Sequence, residues 1–137
     1  MTPAVRAEQA TKIYGSGHTE VLALDGVTVS FEQGRFSAIM GPSGSGKSTL
    51  LHCVAGLDDL TSGKVFIGDQ DLGLLEDREL TLLRRTRVGF VFQEGRLFPH
   101  LTVAENLAYG AARRGVPASA IQADDDVASL DGWPAWV

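Results

Sequence analysis

Residues 41–49 read Gly41-Pro42-Ser43-Gly44-Ser45-Gly46-Lys47-Ser48-Thr49 and match G-x-x-x-x-G-K-[ST] at every specified position. This is a set of residue types built to hold phosphate. Glycines at 41, 44 and 46 are expected to take positive φ and bring backbone amides together as an anion-binding nest. A helix beginning at Lys47 would add the positive end of its dipole. The Lys47 ammonium supplies a point charge to the β and γ phosphates, and the Ser48 hydroxyl is a hard oxygen ligand suited to Mg²⁺. An ordinary flexible turn would not set Gly-Lys-Ser between an apolar run and a helix. The loop alone specifies neither the nucleotide nor hydrolysis.

The elements that must position this loop can be read around it. Arg35 to Met40 ends in an apolar run of the kind found in a buried strand. Lys47 to Ala55 has helix-forming composition, with Leu50, Leu51, Val54 and Ala55 on one face and Gly56 where a C′ glycine would end it. Upstream, Ala4 to Tyr14, Val21 to Leu24 and Val27 to Phe31 read as strands of an antiparallel meander, broken by Gly15-Ser16-Gly17 and Asp25-Gly26. Downstream, Lys64 to Gly68 alternates as a short strand. Glu76 to Arg85 is helical, with Leu80 and Leu83 on one side. Val88 to Phe92 is a second apolar strand. Thr102-Val103-Ala104-Glu105 fits a capping box opening a helix that runs to Arg114 and stops at Gly115, with Pro117 beyond. Strand, glycine loop, helix, small strands, helix, strand, helix is an α/β arrangement.

Composition narrows the class. A chain of 137 residues, 44% hydrophobic, suits one globular domain that needs no disulfide or metal for its core. Its single cysteine, Cys53, sits among apolar residues and reads as a small buried hydrophobe in a reducing compartment. The apolar runs fall well short of the about 20 residues that span a bilayer, and the first residues lack a signal-peptide core, so a cytoplasmic location is expected. The net charge of −5 argues against broad capture of nucleic acid, and Arg84, Arg85 and Arg87 fit a helix end instead. Most of that charge lies in the tail, where residues 118–137 hold four Asp and no Lys or Arg.

Taken together, Leu22 to Phe31, the loop continued through Leu50-Leu51, Leu57-Asp58, Thr61 to Val65 and Val88-Gly89-Phe90-Val91-Phe92-Gln93 resemble the nucleotide-binding subunits of ABC transporters, in that family's order and spacing. The resemblance covers about Ala4 to Gly115. It implies a P-loop NTPase fold, ABC ATPase-like, with an N-terminal antiparallel β meander and the start of a helical subdomain from Gly95 to Gly110. The second half of that fold would be missing. The resemblance implies ATP and Mg²⁺ as ligands. Tyr14, in Lys12-Ile13-Tyr14-Gly15, looks like the aromatic that stacks on adenine, a flat ring with few rotamers, although an edge-strand tyrosine would read the same way. Gln93 looks like the Q-loop glutamine that helps coordinate Mg²⁺ and approaches the attacking water, its amide both accepting and donating. The binding set is thus Tyr14, residues 41–49 and Gln93, with Ser48 and Gln93 on the metal. The implied partners are transmembrane transporter subunits and a second nucleotide-binding subunit, at the inner face of the plasma membrane. The body to Gln93 is similar to lipoprotein-release and macrolide-export ATPases, and residues 95–110 are more like molybdate-import ATPases.

Three parts of a complete cassette ATPase do not occur in the sequence: the Leu-Ser-Gly-Gly-Gln signature, an apolar strand ending in Asp-Glu, and a switch histidine. His18, His52 and His100 all precede the place for the last and read as ordinary loop or helix residues. Asp124-Asp125-Asp126 follows no buried strand and reads as a solvated tail. Residues 4–115 are therefore expected to form a partial nucleotide-binding domain, with residues 116–137 an unassigned acidic tail. Two functions follow. One is the ATP-binding subunit of an ABC transporter, whose family role is ATP hydrolysis coupled to transport. The other is a truncated ATP-binding or docking module without turnover. A kinase or GTPase reading is disfavoured, because an Asn-Lys-x-Asp guanine reader is absent.

Overall fold

A computed structural model describes residues 3–92, 97–113 and 115. The chain divides into two units, Met1–Phe90 and Val91–Val137. In the first, β1 (Val5–Tyr14), β2 (Val21–Phe31), β3 (Ser62–Ile67) and β4 (Gln70–Asp71) form one sheet in the order β2-β1-β3-β4. Every pairing is antiparallel. β1 is thus an interior strand, with β2 and β3 on its two sides.

The expected break at Asp25-Gly26 is a bulge inside a single strand. Ala10 faces Val27 while Lys12 faces Leu24, so β2 carries an extra residue there, and Gly26 accommodates it at φ 59. A compensating irregularity lies on β1, where Gln9 takes φ 48 and donates from its backbone and side-chain nitrogens to the Thr28 hydroxyl. The meander expected from three segments is therefore a two-stranded hairpin, and the next strand returns to the other side of β1.

Helix α1 (Lys47–Val54) packs across β1, β2 and β3. Its apolar face delivers Leu50, Cys53 and Val54 to a core with Ala7, Ala10, Leu24 and Val65. The two alanines of β1 are fully buried, and their small size lets the helix lie close on the sheet. Gly56, at φ 70, ends α1 as expected. The Gly56 amide donates to Cys53 and that of Leu57 to His52, the paired bonds of a Schellman motif. Helix α2 (Asp77–Arg87) opens with a Glu76/Glu79 capping box and buries Leu83. Arg84 donates to the Gly56 carbonyl at 2.9 Å, so this arginine closes the turn after α1.

Two expected strands are not strands. Residues 35–40 and 88–92 join no ladder of the sheet. Only Ile39 of the first run packs against the core, while Phe36 and Met40 are 90% and 87% exposed. In the second run, the Phe90 ring meets His52 of α1 in a tilted contact at 5.4 Å between ring centroids, and Val91 is exposed. An apolar run becomes a buried strand only when neighbouring strands satisfy its backbone, and the four-stranded sheet offers these two segments no place.

In the second unit, α3 (Val103–Arg113) starts at the expected capping box. The Glu105 amide donates to the Thr102 hydroxyl at 3.2 Å, and the Thr102 amide donates to Glu105 at 2.7 Å. Asn106 adds a clamp that the sequence did not suggest. Its amide nitrogen donates to the carbonyls of Phe98, Leu101 and Thr102, and its oxygen accepts from the Phe98 amide. The rings of Phe98 and Tyr109 meet edge to face at 4.8 Å. No helix among the described residues is long and apolar enough to cross a membrane.

Candidate functional site

The phosphate loop lies immediately before α1. Pro42 and Ser45 close a turn through a backbone bond of 3.2 Å. Gly44 and Gly46 take φ 80 and 89, the left-handed values expected of a nest. Gly41 does not, and its glycine has a different reason: a Cβ there would lie 2.8 Å from the Ser45 hydroxyl oxygen. At Gly46 both constraints apply, since a Cβ would also meet the Ala23 carbonyl oxygen of β2 at 2.5 Å. The loop is thus keyed to the sheet as well as to the helix.

Lys47 sends its ammonium back across the loop, donating to the carbonyls of Gly41 at 2.7 Å and Pro42 at 2.6 Å and to Ser45 at 3.2 Å. The charge therefore sits over the glycine loop. Ser48 is exposed in the first turn of α1, beside Lys47. A phosphate held by this loop would meet a cation, left-handed glycines and a helix N-terminus together. One hard hydroxyl oxygen next to phosphate oxygens is a donor set suited to Mg²⁺.

Tyr14 ends β1, and its hydroxyl donates to Asp58 at 2.7 Å. The other oxygen of that carboxylate accepts from Lys12 at 2.8 Å, and the Lys12 ammonium also reaches the Asp59 carbonyl. The same ammonium stands 4.9 Å from the centre of the Tyr14 ring. Hydrogen bonding to Lys12, then to Tyr14, holds the Asp58 carboxyl below the usual carboxylate range. Its charge in turn raises Lys12 through their hydrogen bond. Tyr14 is raised by its bond to Asp58 and then by burial, while the Thr49 side chain acts on the same phenol in the opposite sense. Thr49 belongs to the first turn of α1, so the tyrosine and the phosphate loop meet in one unit. Sequence reasoning gave Lys12 and Asp58 no role. The available signal was spacing: Lys12 and Tyr14 stand two apart on a strand and share a face.

Gln93 and the acidic run Asp124 to Asp126 lie outside the described residues. Cys53 is buried beneath the site, and burial raises its thiol, in keeping with a packing role. His18 falls in a short 3-10 turn, His52 in the last turn of α1, and His100 against Phe98 in the second unit.

The ABC transporter family profile matches residues 24–134. The chain belongs to the ABC transporter family. It is 42% identical over 85% of its length to the macrolide export ATP-binding/permease protein MacB of Hyphomonas neptunium, covering 18% of that protein. With the lipoprotein-releasing system ATP-binding protein LolD of Blochmanniella floridana, identity is 40% over 83% of the chain and 48% of the relative. Both bear out the likeness of the body to macrolide-export and lipoprotein-release ATPases. The solved dimeric structure of the ATP-binding cassette MJ0796, in a post-hydrolysis state bound to ADP and Pi, superposes with a TM-score of 0.73. It is 42% identical over 80% of this chain and 47% of that one. MJ0796 is from Methanocaldococcus jannaschii. This fold neighbour supports the P-loop NTPase class. The chain spans about half the length of LolD and of the MJ0796 chain.

Proposed function

We propose that this chain is the ATP-binding part of an ABC transporter subunit and grips ATP, with Mg²⁺, through residues 41–49. The carrying observation is the loop itself. Left-handed Gly44 and Gly46 lead into α1, and the Lys47 ammonium lies across the glycine turn, within 2.7 Å of two loop carbonyls. A phosphate oxygen would replace those neutral acceptors with an anionic one, a stronger partner for an ammonium. Mg²⁺ would be held by the Ser48 hydroxyl, with Gln93 as the second protein ligand on the family resemblance. The ion would supply charge neutralisation between phosphate oxygens. Tyr14 receives the adenine on its exposed side; its position near Thr49 supports this. Transmembrane subunits and a second nucleotide-binding subunit are the partners this reading requires, at the cytoplasmic face of a membrane.

The family role is ATP hydrolysis coupled to transport. The signature and the Asp-Glu strand do not occur in these 137 residues. By themselves, the residues are therefore expected to release phosphate from ATP no faster than the Lys47→Ala variant, because loss of a general base alone costs about 10²–10⁴ in rate. A phosphate-release assay showing turnover that depends on Lys47 would contradict this. The adenine assignment is tested by calorimetry: Tyr14→Ala should weaken ATP binding, and an unchanged affinity would remove Tyr14 from the site.

A further inference from the structure

Tyr14 is the last residue of β1, 39% exposed and followed by Gly15 at φ 83. A phenol ring in such a place is free to change rotamer unless its polar end is tied. Here it is tied, since the hydroxyl donates to Asp58 at 2.7 Å. Asp58 is itself fixed from two further directions, accepting from the Lys12 ammonium at 2.8 Å and from the Asp59 amide at 2.9 Å. Lys12 completes the arrangement by standing over one face of the same ring, 4.9 Å from its centre. A cation on that face leaves the opposite face as the one a flat, apolar base can cover.

We propose that Asp58 is a positioning residue for the base end of the nucleotide site: it fixes the plane of the Tyr14 ring through the hydroxyl and, by anchoring Lys12 on one face, selects the face that meets adenine. This rests on the reading that Tyr14 stacks the base. An ordered platform loses less side-chain freedom when a base settles on it, so the benefit falls on base affinity and not on phosphate affinity. Asp58 lies in the loop after α1 and Thr49 in the first turn of that helix, so the carboxylate orients the platform relative to the phosphate loop without touching the nucleotide.

The test compares Mg·ATP with inorganic tripolyphosphate, which has the phosphates but no base, by calorimetry on the 137-residue chain. Tyr14→Phe keeps the ring and removes its bond to Asp58. Asp58→Ala removes the acceptor. Each should weaken ATP binding about three- to tenfold, the worth of a single hydrogen bond, and leave tripolyphosphate affinity unchanged. The double variant Tyr14→Phe/Asp58→Ala should be no weaker than Asp58→Ala alone, because both changes break one bond. Equal losses for ATP and tripolyphosphate would show Asp58 to be a general structural tie and overturn the proposal. So would an unchanged ATP affinity in Tyr14→Phe, which decides the matter even if Asp58→Ala fails to fold. Tyr14→Ala separates the two ideas. If it weakens ATP binding while Tyr14→Phe and Asp58→Ala do not, adenine stacking stands and positioning by Asp58 falls. If Tyr14→Ala has no effect, the stacking reading falls as well.

Discussion

At the residue scale, one glycine carries more of the site than its neighbours. Gly46 must adopt φ 89 and must also leave room for the Ala23 carbonyl oxygen of β2. Gly46→Ala is therefore expected to destabilise the chain by about 1–3 kcal/mol from backbone strain, with the steric conflict adding to it. Urea unfolding measures this, and a variant as stable as the parent would mean that the loop is not locked to the sheet. Gly44 also has a positive φ, but a Cβ there meets nothing within 4 Å. Its replacement by Ala should cost less than that at Gly46. The sequence motif specifies Gly41 and Gly46 and leaves Gly44 open, and the sequence suggested one reason, positive φ, for all three. The structure separates the reasons, because φ and close approach depend on what lies across the chain, and a local pattern carries no information about that.

At the scale of elements, legibility followed the locality of the forces. The Thr102/Glu105 capping box and the Gly56 end of α1 depend on hydrogen bonds within a few residues, and both stand where the sequence placed them. The bulges in β1 and β2 depend on how two strands twist against each other, so Asp25-Gly26 looked like a turn and proved to be a kink in one strand. Residues 35–40 and 88–92 have the composition of buried strands, but composition does not supply ladder partners. The Lys12–Asp58 pair joins β1 to the loop after α1, and its titration gives an element-scale prediction. Lys12 and Tyr14 lower Asp58 from its ordinary value of 3.8, so its contribution to stability is complete above about pH 4 and is lost as pH falls through the lowered value. Asp58 raises Lys12 from 10.5, so that contribution is complete below about pH 10 and disappears as pH climbs through the raised value. Urea unfolding at stepped pH should show stability falling less steeply below pH 4 in Asp58→Asn than in the parent. Parallel slopes would show the pair to be energetically idle.

For the whole molecule, family membership was legible because the phosphate loop, the residues around it and their order survive as linear motifs. The same sequence suggested a comfortable single domain, whereas the chain spans about half of LolD and of the MJ0796 chain, and in the first unit Phe36 and Met40 are exposed. Among the described residues the core cluster is small, seven buried residues between α1 and three strands. Within such a core Leu50→Ala should cost about 2–5 kcal/mol, enough to unfold a marginal chain, and it should abolish ATP binding by that route alone. Circular dichroism would reveal it, and a folded Leu50→Ala chain of undiminished stability would contradict this description of the core. The central claim is that these residues grip nucleotide phosphates through Lys47. Its most direct measurement is a calorimetric titration of the 137-residue chain with Mg·ATP, beside a Lys47→Ala chain shown by circular dichroism to be equally folded. Saturable binding by the parent and its loss in the variant is the predicted result; equal affinities, or no binding by a folded parent, would contradict the account.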